Sequence, residues 1–120
     1  MPVKYTNSQG MVQNTNDKYR IMRKEECWEF WLYIAGQTPK SILALENITK
    51  YSKEHIRANY TIEVIDLLKS PQLAEVDEIF AIPTLVRKIP KPLKRIIGDL
   101  SNKEKVLIGL SIRPLIADGK

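Results

Sequence analysis

Apolar and polar positions along the chain follow two periods that set out its elements. From Cys27 to Ala35 almost every position is apolar or aromatic. Trp28, Phe30, Leu32 and Ile34 share one parity, and Trp31, Tyr33 and Ala35 share the other. A strand apolar on both faces is covered on both sides, as at the centre of an α/β sheet. Gly36-Gln37 turns the chain, and Thr38-Pro39 starts a helix. Threonine is a good N-cap, and proline costs nothing at the first helical position, where its missing N–H would have no partner. Ile42, Leu45 and Ile48 predict the buried stripe of that helix. It should fade before Asn59. Tyr60 to Asp66 alternates and is β-branched, which predicts a second strand. Strand, helix and strand over this length read as a βαβ unit with parallel strands and a right-handed crossover.

Ser70-Pro71 repeats the start signal, and Leu73, Val76, Ile79 and Phe80 predict a second helical stripe. Ala81 to Val86 ends that helix and opens a third strand. Pro90-Lys91-Pro92 breaks it, and Leu93 to Ile97 reads as a fourth strand stopped by Gly98-Asp99. Ser101-Asn102-Lys103-Glu104 has the form of a capping box, predicting a last helix over 101–113. Within it, Val106-Leu107-Ile108-Gly109-Leu110 is divided. Glycine disfavours a helix interior by about 1 kcal/mol relative to alanine, and the β-branched neighbours favour a strand. Such a segment is suited to different structures in different surroundings.

Residues 1–25 are rich in Asn, Gln, Ser, Thr and Lys without either period, and read as a disordered arm. The ordered domain is expected over 26–115, with 116–120 as a tail. At 120 residues, 43% hydrophobic and 28% charged, the chain fits one ordinary globular domain. No apolar run approaches membrane-spanning length, and Met1-Pro2-Val3-Lys4-Tyr5 lacks the apolar core of a secretory leader. A cytoplasmic protein without a membrane span is expected. The formal net charge is +5, concentrated in residues 85–105, where seven Lys and Arg stand against two acidic residues. A basic stretch beside an acidic body suggests an acidic partner surface. The aromatics are not interleaved with these cations, which argues against nucleic acid.

Strand–helix–strand–helix–strand–strand–helix is the order of the thioredoxin fold, and Ile82-Pro83-Thr84 resembles the cis-proline entry to its third strand. Redox members of that fold place Cys-x-x-Cys where the first helix begins, so that the helix dipole lowers a thiolate pKa. Here Gln37-Thr38-Pro39-Lys40 stands there. Cys27 is the chain's one cysteine and falls within the first predicted strand, as a small core residue. His55, the one histidine, falls near the end of the first helix, where the dipole favours a surface cation. Asp66 ends a strand without a partner in view, and Asp77 and Glu78 are helix neighbours that do not face each other. There is no phosphate loop and no nucleophile elbow. These residues describe a binding module rather than an enzyme, with no cofactor expected.

The run from Leu32 to Pro39, the run from Val64 to Glu75, Ile82-Pro83-Thr84-Leu85, and above all Arg95 to Leu110 closely resemble the KaiB family of circadian clock proteins. The resemblance spans 28 to about 113 without gaps. It implies a non-enzymatic partner of KaiC, a hexameric ATPase of the RecA type. It also implies two alternative folds: a thioredoxin-like βαβαββα monomer that binds the KaiC ring, and a tetrameric ground state (βαββααβ) in which the second half is rearranged. The thioredoxin-like member can capture KaiA or displace a clock histidine kinase. A homo-oligomer, dimer or tetramer, follows from the same resemblance.

The chain also departs from the family pattern. Pro90-Lys91-Pro92 replaces a triple proline, Ser111 an aspartate, Pro114 a tyrosine and Trp28 a tyrosine. Leu43 and Glu46 stand where an arginine and a lysine are usual, and the acidic tail is missing. These departures suit a homologue outside the core clock, in a stress-adaptation role. A sensor or adaptor module working with a histidine kinase is the alternative. The expected partner-binding residues are Lys40, Arg87, Lys88, Lys94 and Arg95. The expected fold-switch region contains Pro83, Pro90, Lys91, Gly98, Asp99, Gly109 and Ser111.

Overall fold

The computed structural model describes residues 3–6 and 27–114. Its elements are β1 (Val3–Thr6), β2 (Trp28–Ile34), α1 (Pro39–His55), β3 (Tyr60–Asp66), a 3-10 turn (Pro71–Glu75), β4 (Thr84–Ile89), β5 (Lys94–Ile97) and α2 (Lys103–Gly109). The strands form one sheet in the order β1-β3-β2-β4-β5. β2 pairs in parallel with β3 from Trp28↔Tyr60 to Ile34↔Asp66 and antiparallel with β4. The doubly apolar segment therefore lies at the centre, as its pattern requires. Phe30, Leu32 and Ile34 face a core shared with α1 and α2, while Tyr33 packs on the opposite face with Ile65 and Val86.

α1 begins as predicted. Thr38 is extended and accepts from the Ser41 N–H at 3.1 Å, with Pro39 next. Of the predicted stripe, Ile48 is buried and Leu45 packs against the core, but Ile42 does not belong to it. Ser41, Ala44, Ile48, Tyr51 and Ser52 face the sheet, and Ile42 is 46% exposed. The expectation weighed side-chain size, whereas the face turned to the sheet includes the small residues Ser41, Ala44 and Ser52. Gly36 turns the chain with φ +77°, and its N–H donates to Asp66 Oδ1 at 3.0 Å. That carboxylate also accepts from the Leu68 N–H, so the two main-chain donors hold its pKa below the usual range.

Two further expectations are corrected. The second helix is only a 3-10 turn over Pro71–Glu75. Asp77 is drawn inward to partners on the sheet, and Glu78 takes φ 54°, which no helix accommodates. Leu73 and Ile79 still pack on the sheet, but Val76 is 51% and Phe80 91% exposed. The last helix is shorter than 101–113, and its cap is Asn102, which accepts from the Lys105 N–H, rather than Ser101. Gly109 is its final residue. A Cβ there would lie 2.7 Å from Ile96 Cδ1, so the glycine lets α2 approach β5 closely.

Within the expected disordered arm, Val3–Thr6 forms a strand antiparallel to β3. Four residues are too few for a period to show. The rest of 1–25 and the tail over 116–120 lie outside the described residues. Cys27 precedes β2 rather than lying inside it, and it is half-buried. His55 is not a surface cap: its side chain is only 8% exposed, and burial, with Lys103 nearby, lowers its pKa. No described helix is long and apolar enough to cross a membrane.

Candidate docking surface

The basic residues singled out in the sequence do not form one surface. Lys40 is exposed in the first turn of α1, and Arg95 is exposed on β5. Lys94 is half-buried one residue before Arg95, and alternation along the strand sends it to the other face. Arg87 has to be removed from the surface set, since it is 3% exposed. It pairs with Lys94 across β4 and β5 and faces the main core. Its Nη1 donates to the Leu110 carbonyl and its Nη2 to the Pro92 carbonyl at 2.8 Å, with the guanidinium 5.3 Å from the centre of the Trp28 ring. Burial lowers its pKa, and two main-chain oxygens and an aromatic face stabilise the charge.

Lys88 is likewise committed to a partner. Its Nζ lies 2.9 and 3.0 Å from the two oxygens of Asp77 and 4.2 Å from the centre of the Trp31 ring. Asp77 is 4% exposed and also accepts from the Tyr33 hydroxyl at 2.7 Å. Burial first, and then this carboxylate, push the Tyr33 phenol far above its usual range. Trp31 Nε1 donates to Glu29 Oε2 at 2.8 Å. This cluster ties the 71–80 segment to the sheet. Sequence reasoning missed it because Tyr33 lies 44 residues and Lys88 11 residues from Asp77 in the chain, and Asp77 stands between Glu75 and Glu78 with nothing to single it out.

The exposed cation Lys40 lies beside the loop that enters β4. Ala35, Pro39, Lys40, Ile82 and Pro83 line a shallow groove there. The Ile82-Pro83 bond is cis, matching the resemblance, and Ile89-Pro90 and Lys91-Pro92 are also cis. Pro83 is buried and its carbonyl accepts from the Gly98 N–H at 2.9 Å. Gly98 has φ +117°. The next residues are anchored to α1: Asn47 Nδ2 donates to the Asp99 carbonyl at 2.9 Å and the Tyr51 hydroxyl to the Leu100 carbonyl at 2.7 Å. Ser101 donors, with Lys40 contributing, hold the Asp99 carboxyl below the usual range. Ile82 is 44% exposed, so the groove sets an apolar side chain beside the cation Lys40; Ile97, 63% exposed, and Arg95 are carried by β5, outside the groove's lining.

Lys91 is exposed between the two prolines. Ser111 takes φ 58° just beyond α2. Its N–H bonds the Ile108 carbonyl at 3.1 Å, and the Ile112 N–H bonds the Leu107 carbonyl at 2.8 Å. These two bonds make a Schellman motif with Ser111 at the left-handed position and buried Leu107 and Ile112 as its hydrophobic pair. Among the described residues, no group of three or more His, Cys, Asp or Glu is placed to hold a metal ion.

Solved structures similar to this one include mitochondrial thioredoxin 3 from Saccharomyces cerevisiae. It is 21% identical with TM-score 0.57, over 79% of this chain and 87% of that one. Chloroplastic thioredoxin z is 17% identical with TM-score 0.57, over 84% and 96%. These likenesses show a thioredoxin-like fold. The circadian clock oscillator proteins KaiB of Thermostichus vulcanus and Thermosynechococcus vestitus are each 53% identical over 81 residues, 68% of this chain and 75% of theirs. That of Microcystis aeruginosa is 52% identical over 68% and 78%. The KaiB domain family matches residues 31–112, which take in every described element except β1 and the opening of β2, and this chain belongs to that family.

Proposed function

We propose that the protein is a non-enzymatic regulator that docks on a KaiC-type ATPase hexamer, in circadian timing or stress adaptation. The observation that carries this reading is the groove between the start of α1 and the cis-proline loop. It has the place where thioredoxins present their cysteines, but here it offers Lys40 and Ile82 with no sulfur. An exposed apolar side chain beside a cation, with the further exposed cation Arg95 on β5, fits an interface with an acidic, partly apolar surface. Charge complementarity there accelerates encounter and excludes wrong partners more than it adds affinity.

The residues that serve this reading are Lys40 and Arg95, with Lys94 at the margin. Arg87 and Lys88 support the surface from within. The test is binding of the full chain to a KaiC-type hexamer followed by interferometry. Lys40→Glu with Arg95→Glu should slow association about tenfold or more at low salt, with a smaller difference at high salt. Ile82→Asp should accelerate dissociation. Unchanged binding by both variants, with the circular dichroism of each intact, overturns this assignment.

A further inference from the structure

β1 lies outside the 31–112 family match and fills the outer edge of β3. Its register is Val3↔Val64, Lys4↔Glu63, Tyr5↔Ile62 and Thr6↔Thr61. By residue type, the register sets an apolar residue opposite an apolar one, a cation opposite an anion, and threonine opposite threonine; each is a class of pair suited to an antiparallel ladder. The edge discriminates. A β3 strand laid antiparallel on another β3 about Glu63 would set Glu63 against Glu63, which is repulsive. The site is matched to an apolar–basic–apolar–polar strand.

The connection is far longer than the fold demands. Thr6 stands opposite Thr61 on the outer side of β3, and Trp28 opposite Tyr60 on the inner side. Two strand spacings, about 10 Å, separate β1 from β2, and three or four extended residues span that. The chain uses the 21 residues from Asn7 to Cys27. So long a connection lowers the effective concentration of the resident strand to the order of millimolar or less, which a second copy can match at high protein concentration.

We propose that the outer edge of β3 is a docking site for the N-terminal strand of a second copy of this chain, exchanged for the resident β1 in the same register. Exchange joins two copies through main-chain bonds without uncovering a sheet edge, whereas loss of both strands leaves an exposed edge of the kind that drives aggregation. This inference is independent of any ATPase partner.

Cross-linking tests it. Full-length single-cysteine proteins are made on a Cys27→Ser background, one with Lys4→Cys and one with Glu63→Cys, and oxidised with glutathione disulfide. The mixture should give a covalent dimer whose yield rises with protein concentration, while neither protein alone does so. The chain carrying both cysteines should cross-link internally when dilute. A double variant that closes internally, with no dimer from the mixture up to the order of 1 mM, overturns the proposal. A fluorescein-labelled peptide of residues 1–10 gives a second reading. It should bind full-length Lys4→Pro/Tyr5→Pro, whose own strand cannot complete the ladder, about tenfold tighter than the unaltered chain. Glu63→Lys in that protein should weaken the peptide, and Lys4→Glu in the peptide should restore it. Equal affinity for both proteins, or none for either, overturns the proposal as well.

Discussion

Ser111 gives the sharpest prediction about the end of the chain. It sits at the left-handed position of the α2 cap with φ 58°, exposed, and its own side chain makes no part of the motif described there. A non-glycine residue in this conformation costs roughly 1–2 kcal/mol. Glycine removes that cost but loses about 0.4–1 kcal/mol through the greater freedom of the unfolded chain. Ser111→Gly should therefore stabilise the protein by about 0.5–1 kcal/mol, raising Tm by about 2–8 °C for a domain of this size. Ser111→Val works the other way. A β-branched residue is strained here, and the valine variant should fall about 2 kcal/mol below the glycine variant. Urea unfolding followed by tryptophan fluorescence measures both, with equal m-values required for the comparison. A valine variant as stable as the glycine variant would refute the left-handed cap and, with it, the Schellman closure that lays Ile112 against Leu107.

Removing Asp77 should be costly. Asp77→Ala strands the buried Tyr33 hydroxyl and unpairs Lys88, a loss of about 3 kcal/mol in urea, while Tyr33→Phe alone should cost about 1 kcal/mol; a loss under about 1 kcal/mol for Asp77→Ala would contradict the cluster. Arg87→Lys cannot fork to two carbonyls and should lose about 1.5–3 kcal/mol. Arg95→Ala, on the surface, should stay within about 0.5 kcal/mol, and similar losses at both positions would argue against the buried assignment. His55 gives a pH dependence: burial lowers its folded pKa, so the unfolded chain binds more protons and stability is lost as pH falls below about 6.5. Asp66 and Asp99, with lowered pKa values, add a separate loss below about pH 4. Thermal melts between pH 7.5 and 5.5 should show the first loss, and His55→Gln should flatten it.

Much of the first half of the fold was legible from local patterns. The doubly apolar run from Trp28 and the Thr38-Pro39 cap each carry their own signal, and the parallel pairing of β2 with β3 follows from the strand–helix–strand order. What escaped was decided by long-range contacts. Val76 and Phe80 have helical spacing, yet Asp77 turns inward to Tyr33 and Lys88, and the helix yields to those bonds. Ile42 looked like core from its size, while the rotation of α1 on the sheet buries Ser41 and Ala44 in its place. For the site, Lys40 and the cis-proline loop were visible because the thioredoxin order places them together. Arg87 was misread because a basic stretch reads as surface, and nothing adjacent in the sequence marks the two carbonyls that receive it. β1 was missed because its pairing partner lies almost sixty residues away.

The way Arg87 is housed sets what its neighbourhood can tolerate. Its acceptors at 92 and 110 are main-chain oxygens, which every amino acid supplies. Arg87 therefore places no demand of its own on the side chains at those two sites, where Leu110 answers instead to the core that buries it, whereas position 87 needs a guanidinium. Over sequence divergence the demand falls on one residue, and a lineage that exchanged it would have to rebuild the meeting point of a strand, a proline turn and a helix end in a single step.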